Sequence, residues 1–151
     1  MAETDEAERE QARRDAERKK YQNERSSKER EKREAEAAKA ALEAKIERLK
    51  DAYKKVHAVK VNADDLKSGV KKQGKKADEW IGQKFSAYAG FVNDDFNNYY
   101  KTYVDELDGV QDDINREISR LQNEAAEYGN IIDKLWSRIC ELGRWIQNLF
   151  N

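Results

Sequence analysis

From Leu42 to the end of the chain, apolar residues return at alternating steps of four and three, and no proline interrupts them anywhere in 151 residues. The first run is Leu42, Ile46, Leu49, Tyr53 and Val56. The second is Tyr103, Leu107, Val110, Ile114, Ile118, Leu121, Ala125, Tyr128, Ile132, Leu135, Ile139, Leu142, Ile146 and Leu149. That spacing puts one residue per turn on a single face, the mark of helices that lie lengthwise against other helices. Proline would take away a backbone donor and clash with the preceding turn, so its absence leaves long helices unbroken. The predicted fold class is all-α: a long antiparallel helical hairpin or coiled coil. One irregularity stands in the second run, where Ile114 steps to Ile118. It reads as a stutter, which unwinds a supercoil locally without ending the helix.

Residues 1–41 differ in kind. Glu, Lys, Arg and Ala dominate, and Tyr21 is the one large apolar side chain after Met1. Such a stretch forms good helix but brings little to a core, so it is expected to be a charged extension, helical or disordered. Residues 42–151 form the hairpin itself. Its first apolar face ends in Val59, Val61 and Leu66, and Asn62-Ala63-Asp64 reads as an interruption or a fresh N-cap. Gly69, Gly74, Gly82 and Gly90 place the bend near 67–92, because glycine weakens a helix interior. Gly109, Gly129 and Gly143 are the weak points of the second helix. In such a hairpin the far end of that helix runs beside the charged extension. Yet that end is its most apolar part, with Ile131, Ile132, Leu135, Trp136, Ile139, Leu142, Trp145, Ile146, Leu149 and Phe150. A strip of this size facing water calls for a partner.

Several function classes lose ground on composition. Thirty basic and 31 acidic residues interleave rather than segregate, as on solvated helix faces and unlike a nucleic-acid groove. The cluster Lys67, Lys71, Lys72, Lys75 and Lys76 reads as a solvated linker. Phe96, Tyr99, Tyr100 and Tyr103 read as core aromatics rather than a base-stacking platform. The start of the chain carries acids where a secretory leader needs a basic then an apolar stretch, and no window is apolar enough to span a membrane. Synthesis in the cytoplasm is expected, with any export by a route without a cleaved signal peptide. Cys140 is the one cysteine and reads as a packing residue beside Ile139. His57 is the one histidine and reads as solvated, which leaves no metal pair and no histidine-assisted nucleophile. No phosphate-cradling loop is present. No enzyme activity and no cofactor are expected.

Trp80-Ile81-Gly82 sits in the gap between the two apolar runs. An indole can pack across both helix ends there, and the glycine permits a tight turn. With "LEAKIERL" from Leu42 to Leu49, "EWIGQKF" from Glu79 to Phe85 and "INREISRLQNE" from Ile114 to Glu124, the stretch from Leu42 to Leu149 resembles the WXG-type helical-hairpin small proteins of bacterial type VII secretion. The closer likeness is to the longer subgroup encoded beside LXG toxins. The resemblance implies a targeting chaperone that binds the N-terminal helical region of an LXG-type toxin, with a second small helical protein as a further candidate partner. Trp80 and Gly82 would then form the bend motif. Leu121, Tyr128, Ile132, Leu135, Trp136, Ile139, Leu142, Trp145, Ile146 and Leu149 would form the partner-binding strip. Phe91 and Asp95 match an export signal of an aromatic residue and an acid four positions on. The alternative is a self-associating structural coiled coil, a homodimer, without a secretion role.

Overall fold

The computed structural model of the chain describes residues 2–78 and 90–150. Helix α1 runs Ala2–Asp78 and helix α2 runs Asn97–Asn148. A single wide π-helical turn, Phe91–Phe96, leads directly into α2. No strand occurs among the described residues. The all-α hairpin predicted from the periodicity is the fold.

Helix α1 selects one of two expected states and corrects two other expectations. Residues 2–41 are helix throughout, continuous with the residues after them. The helix also passes through Asn62-Ala63-Asp64 and through Gly69 and Gly74 without a break, so 67–78 belong to α1 rather than to a bend or linker. A glycine costs a helix about 1 kcal/mol, and a helix this long with helix-forming neighbours absorbs it. Trp80, Ile81 and Gly82 lie outside the described residues.

Two compact units make up the chain: Met1–Ala44 with Leu121–Asn151, and Lys45–Arg120. In the first unit α2 contributes buried Leu121, Ala125, Ile139 and Leu142, and α1 contributes buried Ala35 and Leu42. Leu142 has no exposed surface. The extension thus contributes buried Ala35 to a core it was not expected to join. Counting back from Leu42 in sevens reaches Ala35, Lys28 and Tyr21, and each of these is turned inward. Alanine lets the helices approach, while the lysine stem lies along apolar surface with its ammonium in water. The apolar strip of α2 is therefore covered in good part by its own chain.

In the second unit the inward residues of α1 are Ile46, Leu49, Tyr53, Val56, Lys60, Ala63, Lys67 and Val70. Val59, Val61 and Leu66, expected at the end of the apolar face, are exposed. On α2 the inward residues are Asn97, Tyr100, Val104, Leu107, Gln111, Ile114 and Ile118. They keep steps of three and four without interruption, so the expected stutter is absent. Tyr103 and Val110, which created it, are exposed, and Gln111 is buried at 7% in the place where Val110 was expected. A polar residue on the seam disguised the repeat.

Candidate partner-binding surfaces

Cations of α1 cross residues of α2 at a fixed interval in the first unit. The Arg18 guanidinium lies 5.2 Å from the Phe150 ring, and the Lys32 ammonium lies 4.5 Å from the Trp136 ring. Between and beyond these come glycines: a Cβ placed on Gly143 would meet Arg25 at 3.9 Å, and one on Gly129 would meet Lys39 at 3.7 Å. Each step of seven along α1 is answered by a step of seven backward on α2, as antiparallel helices require. Gly129 and Gly143 are thus places where basic side chains cross, and α2 runs through both unbroken. Each exposed cation–aromatic contact contributes about 0.5–1 kcal/mol.

The two tryptophans of the predicted strip have different surroundings. Trp145 packs against Tyr21 with ring centroids 5.4 Å apart, and the Arg138 guanidinium lies 4.8 Å from its ring. Arg138 in turn donates to Glu24 Oε1 from Nη2 at 2.8 Å and from Nε at 3.0 Å, and to Glu141 Oε2 at 3.3 Å. The hydrogen bond to Glu24 is the main cause of the further rise in the already high guanidinium pKa. Trp145 is therefore committed within the chain. Trp136 is 54% exposed, with the Lys32 ammonium across its ring. Ile131 and Phe150 are exposed as well. Of the remaining strip residues, Leu121, Ile139 and Leu142 are buried, and Tyr128, Ile132, Leu135, Ile146 and Leu149 are half-buried.

In the second unit Lys60 donates to Asp108, and the Tyr100 hydroxyl donates to Asp64. The Lys67 ammonium stands 4.5 Å from the Tyr100 ring. Lys67 is thus an inward residue of α1, whereas Lys71 and Lys72 are exposed. Among the four aromatics expected in the core, Phe96 and Tyr100 are half-buried with centroids 6.3 Å apart, and Tyr99 and Tyr103 point outward. Asp95 is exposed in the π-helical turn that begins with Phe91. Cys140 is exposed, against expectation, because Ile139 takes the seam position and the next residue turns about 100° away. His57 is exposed, as expected.

Tyr100 carries a testable consequence. Its hydrogen bond to Asp64, with burial second, raises its pKa from 10.0 to about 12. The protonated hydroxyl is the form that donates. Its stabilising effect is therefore complete below the ordinary tyrosine pKa and is lost as pH climbs through about 12. An ultraviolet titration of the seven tyrosines should show one late ionisation that disappears in Tyr100→Phe. Equal ionisation of every tyrosine would remove the hydrogen bond from the account.

Among the described residues no cluster of three or more His, Cys, Asp or Glu is placed to hold a metal ion, and no helix is long and apolar enough to cross a membrane. No curated protein and no solved structure matches the chain. The model of the YwqH-like family matches residues 23–143. That match begins inside the charged extension, so the resemblance that starts at residue 42 starts too late. The seam agrees, since Tyr21 and Lys28 already hold inward positions in the hairpin. Spanning much of the charged extension and both helices of the hairpin, the match shows that the chain belongs to the YwqH-like family.

Proposed function

We propose that this protein is a helical targeting partner that binds the N-terminal helical region of an LXG-type toxin for type VII secretion. The observation that carries the reading is membership of the YwqH-like family, a family associated with LXG-toxin partner proteins. The reading assigns the chain no catalytic step. Its work is to offer a helical surface to other helices. The buried members of the α2 strip hold the hairpin together, so the contact falls to the apolar groups left in water, first among them Trp136. Tryptophan is enriched at binding hot spots because it brings a large rigid surface at small entropic cost.

Light scattering after size exclusion tests the proposal, on the chain alone and with the N-terminal region of an LXG toxin encoded beside it. A mixed complex is expected. Two chains that elute separately at every concentration would overturn it. Within that complex Trp136→Ala should weaken binding by more than about 1 kcal/mol and leave the hairpin's melting unchanged. Trp145→Ala should instead lower the melting temperature, because Trp145 packs on Tyr21 and Arg138. Undiminished affinity in Trp136→Ala would take that residue out of the interface.

A further inference from the structure

One flank of the second unit gathers exposed apolar side chains. The residues immediately before the inward ones share a flank, since each is one helical step of about 100° away. On α1 this flank carries Arg48, Ala52, Lys55, Val59, Asn62 and Leu66. On α2 it carries Phe96, Tyr99, Tyr103, Glu106, Val110 and Asp113. In an antiparallel pair these two flanks lie on the same side. Lys45 and Glu117, which belong to the same series, are close enough that the lysine charge helps the Arg120 hydrogen bond to hold the Glu117 carboxyl below its ordinary range. Five of the exposed large apolar residues of the chain fall on this one side: Val59, Leu66, Tyr99, Tyr103 and Val110, with Leu66 at 69% and Tyr99 at 72%. The opposite flank carries Lys50, Lys54, His57, Asp64 and Ser68 on α1 and Asn98, Lys101, Asp105, Asp108 and Asp112 on α2, with Val61 its exposed apolar residue.

Charge decides what covers the face. Its α1 edge is basic, with Arg48 and Lys55, and its α2 edge is acidic, with Glu106 and Asp113. By the contacts of Lys60 with Asp108 and of Tyr100 with Asp64, Lys55 lies level with the stretch between Glu106 and Asp113, the two acids of the facing edge. Asp113 already pairs with Arg116 at 3.2 Å, whereas Lys55 and Glu106 have no ion pair among the described residues. A two-fold axis parallel to these helices would lay α1 of one copy over α2 of the other. Lys55 then meets the acidic edge between Glu106 and Asp113, and Val59 meets the apolar steps at Tyr103 and Val110. A two-fold axis across the helices would set base on base and acid on acid. Symmetric association requires a self-complementary patch of this kind.

We propose that the face formed by Val59, Leu66, Tyr103 and Val110 is a homodimer interface, with α1 of each copy seated on α2 of the other to form a four-helix bundle. Sedimentation equilibrium of the full chain should show a reversible dimer of twice the 17.6 kDa chain mass. Val59→Glu with Leu66→Glu should give a monomer whose helicity is unchanged, since both side chains stand in water in the single chain. Lys55→Glu alone and Glu106→Lys alone should each weaken the dimer about tenfold or more through facing like charges. The double variant Lys55→Glu/Glu106→Lys should dimerise as the original chain does, because each new acid then meets a new base. A chain that stays monomeric at all concentrations overturns the proposal. So does a dimer indifferent to the glutamates, a double variant that is not restored, or a face that binds only the toxin segment. Trp136 belongs to the other unit, so loss of toxin binding and loss of the dimer are separable results.

Discussion

Removing residues 2–41 should do far more than shorten a tail: the truncated chain should lose helix from the C-terminal part of α2 or aggregate. In the first unit Ile139 and Leu142 are buried, Leu142 completely, and α1 before Ala44 is the segment that unit sets beside them. Each such side chain gains about 1.5–3 kcal/mol from full burial, and truncation returns that surface to water. Lost with it are the Glu24–Arg138 ion pair, the Tyr21–Trp145 contact and the cation over Trp136. Circular dichroism melting and light scattering on the truncated chain supply the measurement. A milder truncation of residues 2–17 serves as the control, because residues 2–16 are all exposed and Arg18 and Tyr21 would remain. It should leave the melting temperature nearly unchanged. Equal melting of the full chain and the chain begun at Leu42 would show that the extension contributes nothing to the core.

Gln111→Leu should stabilise the protein by about 1–3 kcal/mol, the cost released when a buried unsatisfied donor is replaced by an apolar group of similar size. Gln111 is buried on the α2 seam, and its Nε2 has no hydrogen-bond partner. Leucine at this position would also complete an unbroken apolar repeat through Leu107 and Ile114. Polar residues on a seam restrict register and association state, so the same substitution should broaden the range of oligomers formed. Urea denaturation reads the first effect and size exclusion the second. A destabilised variant would mean that the amide is held by water, which the leucine could not replace.

Much of the fold is legible in the amino-acid sequence. The steps of three and four from Leu121 to Leu149 pass through every buried residue of α2 in the first unit, since each of those positions carries a recognisable apolar side chain or an alanine. Leu42, Ile46, Leu49, Tyr53 and Val56 do the same for the middle of α1. Periodicity misleads where seam positions carry other chemistry. Lys28, Lys32 and Lys39 belong to the repeat as much as Leu42 does, yet a lysine looks alike on a seam and on a solvated face. Counting back in sevens from Leu42 finds Ala35 and Tyr21 and extends the hairpin into the charged region. Gln111 hides the repeat in the other direction, because neighbouring Val110 offers a more apolar and wrong choice.

The partner strip departs from expectation for a different reason. An apolar surface of that size does call for cover. What covers it in good part is the chain's own N-terminal helix, which hydropathy marks as solvated. Trp136 and Trp145 are the same residue type, and both belong to the predicted strip. Only their neighbours separate them, Tyr21 and Arg138 for Trp145 and the tip of Lys32 for Trp136. The flank carrying Val59, Leu66, Tyr103 and Val110 has the hydropathy of a core and is turned to solvent.

Sequence alone determined that this protein is helical, that its helices lie antiparallel, and that it carries apolar surface beyond one helix's needs. Those properties depend on local periodicity and on the absence of proline, which act within a few turns of backbone. Tertiary structure decided which apolar residues are spent inside the hairpin and which remain for other molecules. That choice is set by the rotation of one helix against the other. A single residue of shift turns Val110 outward and Gln111 inward, and only the packed pair selects between them.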